Sequence, residues 1–316
     1  FDRTYQQYFS DQELETLIDF VRGKDAYNEF PDGKDIEGEN IGVSGERWKL
    51  ADIYHSKAIV VGTPSEFYSD ESTDYTESYY RYLNGYKNFI SGTSCGGECV
   101  NRKEIIYVGS NSGMLHAFNL DSGAEEWAFI PPFLINSLKG MRSDISGESD
   151  SIYGVDGSPT VKDIFIDGQW RTVLLSGVRQ GGHAYFMLDI TNPDNPSHMF
   201  SFEHDELANK VRYWDEDGNR TDYDVGSDIP DEYDYSDLGE SWSDPLILNL
   251  KINGLRKWVG VFGGGYNNNV NPNYGSVVYI IDLEDGGKII EKIEIPDNDA
   301  GDNITNSLPS TISAIT

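Results

Sequence analysis

Short apolar runs that alternate with turn residues dominate the chain. The clearest example is 104–129, where a β-branched run ends at Gly109, a second run closes at Asp121, and a third carries Trp127. Runs of this length, separated by Gly, Asn and Asp, predict three short strands that form a meander.

The same pattern returns twice further along the chain. A glycine follows the second run of each copy, and an aspartate closes the third run, at Asp121, Asp189 and Asp282. The predicted strands of the later copies are 158–165, 170–177, 182–190 and 199–202, then 243–248, 257–263, 275–283 and 288–295. The first copy gains its missing strand from 56–62.

A repeated four-stranded unit predicts an all-β fold, a β-propeller of four-stranded antiparallel blades. The chain holds about three blades and part of a fourth, whose first strand is predicted to begin at Ser307. A two-sheet sandwich is the alternative. Because a ring needs roughly four or more blades to close, either further blades lie outside this sequence or other elements cover the ends.

A short amphipathic helix is predicted ahead of the first blade. Ser10 and Glu13 have the spacing of a capping box, and the apolar residues after them share one helical face: Leu14, Leu17, Ile18 and Val21. We expect 1–48 to be a helix and loop segment packed on the propeller. We expect 49–316 to be the partial propeller, with insertions at 63–103 and 205–240.

Composition limits the partners. The net charge of −30 and the pI near 4.3 disfavour nucleic acid, because phosphate backbones are repelled, whereas cations are attracted. The same carboxylates also serve solubility in an extracellular medium. No apolar run reaches the length of a membrane span, so we expect a chain that does not span a membrane. The start at Phe1 lacks the pattern of a signal peptide, so we expect an internal segment of a longer precursor.

Cys95 and Cys99 frame Gly-Gly-Glu. The two glycines leave the backbone free to bring the sulfurs together, which favours a small loop disulfide in an oxidising compartment. A pair of free thiols is the alternative.

The insertion at 63–103 is rich in tyrosine. Tyrosine gives a large contact area at low entropic cost, so the insertion is a candidate recognition surface. Its candidate residues are Tyr75, Tyr79, Tyr80, Tyr82 and Tyr86. The alternative is that these rings pack down onto the blade.

The insertion at 205–240 holds a candidate Ca²⁺ loop. Asp215, Asp217 and Asn219 stand at alternate positions, so a tight turn can direct their oxygens at one point. Further oxygen donors are the Thr221 carbonyl and the carboxylates of Asp222 and Asp224. Ca²⁺ prefers oxygen ligands of this kind. The match to an EF-hand is imperfect, since Arg220 stands where the turn glycine belongs. A solvated acidic hairpin tip is the alternative.

Catalytic sets are hard to assemble. The histidines are scattered, at His55, His116, His183, His198 and His204, with no metal-ligand spacing among them. We therefore predict that the chain is not an enzyme.

Five segments together resemble the C-terminal propeller of the PilC/PilY family. They are 48–56, 107–118, 156–160, 168–177 and 188–193, and the similarity covers most of 14–295 in the family's order. The resemblance implies a type IV pilus tip adhesin or assembly factor, on the pilus tip or outer-membrane surface. It implies minor pilins or pilus tip subunits, or a host or abiotic surface, as partners. The family's own calcium loop is expected beyond Thr316, so its ligands are not assigned here.

Two functional alternatives remain at this stage. A quinoprotein-type dehydrogenase shares the Asp-Ser-Gly pattern followed by Trp, seen at Asp121 to Trp127, but that pattern does not recur after Asp189 or Asp282. A structural hub that binds only other pilus subunits is the other alternative to an adhesin.

Overall fold

The computed structural model describes residues 10–27, 50–71, 76–95, 97, 99–141, 152–267, 274–295 and 308–314. Within these ranges three antiparallel sheets follow one another along the chain. The first contains β1 (Ile59–Val61), β2 (Ile105–Gly109), β3 (Leu115–Asn119) and β4 (Glu125–Phe129). The second contains β5 (Thr160–Ile166), β6 (Gln169–Gly177), β7 (Ala184–Asp189), β8 (Ser197–Asp205), β9 (Lys210–Trp214) and β10 (Arg220–Asp224). The third contains β11 (Leu246–Ile252), β12 (Leu255–Gly263), β13 (Val277–Asp282) and β14 (Lys288–Glu294).

The sheets pack face to face, and β6 shows why. Val173 and Leu175 belong to an apolar cluster with Phe262 of the third sheet, whereas Leu174 belongs to a cluster with Tyr107 of the first sheet. Successive side chains of a strand point to opposite faces, so a run that is apolar throughout is buried on both.

Aromatic contacts join the same sheets. Tyr185 of β7 stacks on Phe262 with ring centroids 4.0 Å apart, and its chain neighbour Phe186 contacts Phe129 of the first sheet at 5.5 Å. Three sheets stacked in chain order are consecutive propeller blades. The predicted blade architecture is therefore confirmed, and the two-sheet sandwich is wrong.

A glycine at the end of each second strand lies against the backbone of the chain segment that follows its blade. A Cβ atom added to Gly109 would lie 2.0 Å from the Val155 carbonyl oxygen, and one added to Gly263 would lie 2.2 Å from the Leu308 carbonyl oxygen. Gly177, which ends the second strand of the second blade, lies against Ser241 in the same way: a Cβ atom added to it would lie 2.8 Å from the Ser241 carbonyl oxygen. The glycine that marked the repeat in the sequence is thus the point where neighbouring backbones touch.

Backbone hydrogen bonds cross each of these junctions. The Val155 N–H donates to the Ser110 carbonyl at 3.1 Å, and the Arg179 N–H donates to the Ser241 carbonyl at 3.3 Å. At the third junction the Gly265 N–H donates to the Leu308 carbonyl at 3.3 Å. Leu308 therefore contacts the end of β12 in the same way that Val155 and Ser241 contact the ends of β2 and β6. No strand is formed within 308–314.

The predicted N-terminal helix is α1 (Asp11–Val21). Its capping box is present, since the Glu13 N–H donates to Ser10 Oγ at 3.3 Å and the Ser10 N–H donates to Glu13 Oε2 at 2.8 Å. The apolar face of α1 packs on the 3₁₀ segment Ser137–Met141. The loop expected after this helix, within 1–48, lies largely outside the described residues.

The second blade differs from the prediction. It has six strands, because β9 and β10 of the 205–240 insertion continue the sheet beyond β8. Ser201 pairs with Trp214 at one end of the β8–β9 ladder, and Asp205 pairs with Lys210 at the other. The acidic composition of this insertion concealed strands whose pairing is made by the backbone.

The 63–103 insertion forms two helices, α2 (Glu77–Leu83) and α3 (Tyr86–Ile90). It leaves the first blade between β1 and β2 but docks on the second and third blades. Trp170 Nε1 donates to the Asn84 carbonyl at 2.8 Å, and the Tyr80 ring meets the edge of Trp258 at a centroid distance of 5.9 Å. Glu77 adds polar contacts to both blades.

A buried polar network anchors α3. The Tyr86 hydroxyl donates to Asp163, which also accepts from Thr172 Oγ1 at 2.5 Å. Arg102 Nη1 donates to Thr172 Oγ1 at 2.7 Å. Burial raises the pKa of the Asp163 carboxyl and of the Tyr86 hydroxyl, so the phenol stays protonated and keeps donating.

Replacing Gly109 by alanine is expected to lower the free energy of unfolding by about 1–3 kcal/mol, because the new methyl group meets backbone that cannot move aside. Gly140→Ala is the matched control, since its nearest contact would be 3.4 Å from a side-chain carbon of Ile152. Urea unfolding followed by tryptophan fluorescence measures both. Equal stability of the two variants would show that the junction is not tightly packed.

Tyr86→Phe is expected to cost about 1–3 kcal/mol of stability, because it removes a donor from a buried carboxyl group. Tyr82→Phe, which changes an exposed tyrosine of the same insertion in the same way, should have almost no effect. The same unfolding assay compares them. If the two substitutions have equal effects, α3 is not held through Asp163.

Candidate functional site

The outward side of α2 carries Tyr79, Tyr82 and Leu83, which we call the α2 face. These positions are spaced i, i+3 and i+4, so they lie on one side of the helix. The rings of Tyr79 and Tyr82 stack at 6.2 Å, and Tyr82 and Leu83 are 46% and 61% exposed. The inward side packs on the blades, so the α2 face is presented on a fixed support.

The tyrosines predicted to form one recognition surface therefore do not all lie on the same surface. Tyr79 and Tyr82 lie on the α2 face, whereas Tyr80 is half-buried against Trp170 and Trp258. Placing Tyr86 on a recognition surface is wrong, because its side chain is fully buried and its hydroxyl is bonded to Asp163. Tyr75 lies outside the described residues.

Arg81 fixes the chain segment beside α2. Its guanidinium donates to the Phe67 carbonyl at 3.2 Å and pairs with Glu77 at 3.0 Å and Glu66 at 3.2 Å. Phe67 is 71% exposed. A single exposed apolar side chain is common at protein surfaces, so Phe67 alone does not identify a binding surface.

Cys95 and Cys99 form a disulfide, with Cα atoms 6.0 Å apart. The loop follows α3 directly and folds back on it, since the Ser94 N–H donates to the Asn88 carbonyl at 3.1 Å. The crosslink therefore closes the C-terminal side of the helical insertion.

The predicted calcium loop forms the tip of the β9–β10 hairpin. Asp215 Oδ1 accepts the N–H groups of Asp217 at 3.1 Å and Asn219 at 2.8 Å. Asp215 Oδ2 accepts from Asn219 Nδ2 at 3.0 Å. Both oxygens of Asp215 thus hold the turn in the described conformation.

The remaining candidate donors lie on β10. Thr221 pairs with Tyr213 in the ladder, Asp222 pairs with Arg220 at 2.8 Å, and Asp224 pairs with Lys210 at 2.6 Å. The described part of the chain contains no group of three or more His, Cys, Asp or Glu side chains placed to hold a metal ion. The six predicted ligands do not converge in this arrangement, and calcium binding here stays a prediction.

An apolar groove that the sequence did not indicate lies between α1, β4 and the hairpin tip. Its volume is about 830 Å³. Leu14, Trp127 and Phe129 are among its apolar lining residues, and Glu216 and Asp217 are among its acidic ones. The three elements are distant in sequence, so no local pattern could reveal the groove.

A cluster of charged and aromatic side chains lies just ahead of the first strands of the blades. His55 Nδ1 lies 2.5 Å from Asp156 Oδ2, and the His55 backbone N–H donates to Asp156 Oδ1 at 3.0 Å. The Trp242 ring lies 5.1 Å from the imidazole. Arg179 stacks over Trp242 at 5.6 Å and pairs with Asp244 at 3.0 Å. Charged and aromatic groups from all three blades thus meet at this junction.

Within the described residues, no helix has the length and apolar character needed to cross a membrane.

The chain resembles known proteins of the type IV pilus system. A family model described as the PilY1 beta-propeller domain matches residues 69–312. The type IV pilus biogenesis factor PilY1 of Pseudomonas aeruginosa strain UCBPP-PA14 is 30% identical over 278 residues, which are 88% of this chain and 19% of that protein. A PilY1 homolog from Xylella fastidiosa strain Temecula1 is 31% identical over 221 residues, which are 70% of this chain and 12% of that protein.

Among solved structures, the crystal structure of the Pseudomonas aeruginosa PilY1 C-terminal domain has 28% sequence identity and a TM-score of 0.49, and the match covers 76% of this chain and 37% of that one. This chain spans less than a fifth of the length of the two curated relatives. The family model, by contrast, extends from the helical insertion to the segment that follows the third blade. The chain belongs to the PilY1 β-propeller family.

Proposed function

We propose that this chain is an extracellular, non-enzymatic binding and scaffold module of a pilus-associated protein, located at the pilus tip or on the outer-membrane surface. Its relatives are named type IV pilus biogenesis factors, which supports a role in that system. The propeller supplies rigidity, and the segments inserted into it supply the contacts. Adhesion and control of pilus retraction belong to the same proposal.

The observation that carries the proposal is the α2 face on its docked support. The same short helix carries exposed Tyr82 and Leu83 on one side and contacts two blades through Tyr80 and Glu77 on the other. A surface that is already ordered loses little conformational entropy when a partner binds. Aromatic residues that combine apolar area with a hydroxyl group are frequent at such interfaces.

Minor pilins or other pilus tip subunits are the partners we propose first, and a host or abiotic surface is the alternative. A subunit can bury Leu83 and the two tyrosine rings in a complementary pocket, which is how a few residues supply most of an interface's binding energy. Attachment to varied surfaces does not require such a pocket. Binding to purified subunits therefore separates a hub from an adhesin.

The double variant Tyr82→Ala, Leu83→Ala is expected to bind purified minor pilins at least about tenfold more weakly, because interface anchors of this kind contribute about 2 kcal/mol or more. Biolayer interferometry measures the dissociation constant. Retention on host cells and on an abiotic surface is measured in parallel.

The matched control is Leu207→Ala, which removes a fully exposed leucine from the turn between β8 and β9. It should bind like the unaltered chain. Unchanged subunit binding and surface retention by a folded double variant would discard the α2 face as a recognition surface. Loss of surface retention alone would favour the adhesin.

Calcium binding at the hairpin tip is tested by calorimetry at millimolar Ca²⁺. The prediction requires a binding heat that disappears in Asp215→Ala, since Asp215 would have to exchange its turn hydrogen bonds for the ion. Asp121→Ala, an exposed aspartate in a turn of the first blade, is the control. A chain that gives no heat, or equal heats for the two variants, rules out calcium at this turn.

A further inference from the structure

The apolar groove beside α1 runs along an edge strand. Every residue of β4, from Glu125 to Phe129, lines it. β4 is the last strand of its sheet, and no further strand pairs with its outer side within the described residues. An edge strand presents a row of unpaired backbone N–H and C=O groups, which can pair with a strand of another chain.

Ordered apolar side chains form the walls of this groove. On α1, Leu14 and Ile18 stand one helical turn apart, line the groove and are only half-buried. On the blade, Trp127 Nε1 donates to the Pro193 carbonyl at 2.7 Å, which fixes the indole ring. The groove volume of about 830 Å³ lies within the range of roughly 300–1,000 Å³ that is usual for ligand sites.

The charge of the groove is predominantly negative. Of its described lining residues, four are glutamate or aspartate, and Arg22 is the only lysine or arginine. Two of the four lie in β4 and already pair with a histidine and a lysine. The other two, Glu216 and Asp217 at the hairpin tip, are exposed and form no ion pair with another described residue. A basic group on a ligand would therefore complement them.

We propose that β4 accepts one more strand, an extended apolar segment of a partner protein that carries lysine or arginine at its end. Backbone pairing with β4 supplies affinity, and alternate side chains of the added strand enter the groove beside Leu14. The basic end lies next to Glu216 and Asp217, which favours segments of that charge over acidic ones.

A second copy of this chain does not suit the groove as its occupant. Each copy has a net charge of −30, so two copies repel each other. The groove is also separate from the α2 face, because α2 docks on the second and third blades whereas β4 belongs to the first. The proposal adds a second contact surface and does not rest on the α2 face.

Fluorescence anisotropy of the whole chain tests the proposal with a labelled peptide, Lys-Lys-Val-Thr-Val-Thr-Val-Thr-Lys-Lys, at physiological salt and with EDTA present. We expect saturable binding. A peptide with glutamate in place of each lysine should bind at least about tenfold more weakly, because it meets the acidic hairpin tip.

Backbone methylation of the peptide tests strand pairing directly. One version is methylated at the valine nitrogens and another at the threonine nitrogens, so that each blocks one edge of the extended peptide. Only one of the two should lose binding, since an added strand pairs with β4 through a single edge. Binding that survives both methylations would overturn the proposal.

Substitutions on α1 locate the site. Leu14→Lys places a charge in the groove wall and should weaken peptide binding at least about tenfold. Gln12→Lys, which adds the same charge to an exposed position of α1 outside the groove, is the matched control and should bind normally. Circular dichroism checks that both variants fold.

Charge removal at the hairpin tip has its own control. The double variant Glu216→Gln, Asp217→Asn should weaken binding several-fold, whereas Asp70→Asn, Glu71→Gln removes the same charge from an exposed site in the helical insertion and should not.

Absence of peptide binding by the unaltered chain, or equal binding by folded Leu14→Lys and Gln12→Lys variants, would overturn the proposal. The Tyr82→Ala, Leu83→Ala variant should bind the peptide like the unaltered chain. A failure of this groove and a failure of the α2 face are therefore distinguishable.

Discussion

The close contact between each second-strand glycine and the backbone of the chain segment that follows its blade is the constraint on which the rest of the structure depends. At Gly109 and Gly263 there is no room for even one methyl group, because the carbonyl oxygens of Val155 and Leu308, respectively, occupy the place. Backbone hydrogen bonds cross the same junctions, so each blade is held against the chain segment that follows it. The faces of the blades can then meet closely enough for side chains on both sides of β6 and β7 to be buried.

This fixed arrangement creates the surface on which the helical insertion rests. The insertion belongs to the first blade by sequence, but its contacts are with Trp170 of the second blade and Trp258 of the third. Those two indoles are neighbours only because the blades are stacked. The α2 face is therefore a product of blade packing as well as of the inserted sequence, and the network around Asp163 holds it from within.

The sequence predicted the parts of the fold that depend on local order. Strand periodicity, the glycine that ends each second strand and the Ser10–Glu13 capping box all act over a few residues, and all three are found in the structure. The tyrosines were harder to assign, because the insertion was not interpreted as helical. A continuous helical spacing would have grouped Tyr86 with Tyr79 and Tyr82 on one face. The buried Tyr86 is separated from them because α2 ends at Leu83 and α3 begins at Tyr86, after Gly85 with its positive φ of 66°.

Features made by distant segments could not be found in this way. The groove needs α1, β4 and the hairpin tip together, and the Trp170–Trp258 pair beneath α2 needs the second and third blades together. The strand β10 was missed because its polar side chains lack the apolar alternation that identifies a strand, whereas the alternation of β9, at Val211 and Tyr213, is short and stands among acidic residues. Their stability comes from the backbone pairing of β9 with β8 and of β10 with β9, and from cross-strand charge pairs such as Lys210 with Asp224.

Amide hydrogen exchange of α2 and α3, compared with β6, tests most directly whether the insertion and the blades form one cooperative body. The helical amides of Asn84 and Ser91 donate within the insertion, at 3.0 Å to the carbonyls of Tyr80 and Lys87. Short helices exchange rapidly unless packing protects them. The account predicts that these amides are protected and that Tyr86→Phe speeds their exchange while β6 stays protected. Exchange of α2 and α3 at the rate of a free peptide, in a chain whose β6 is protected, would contradict it.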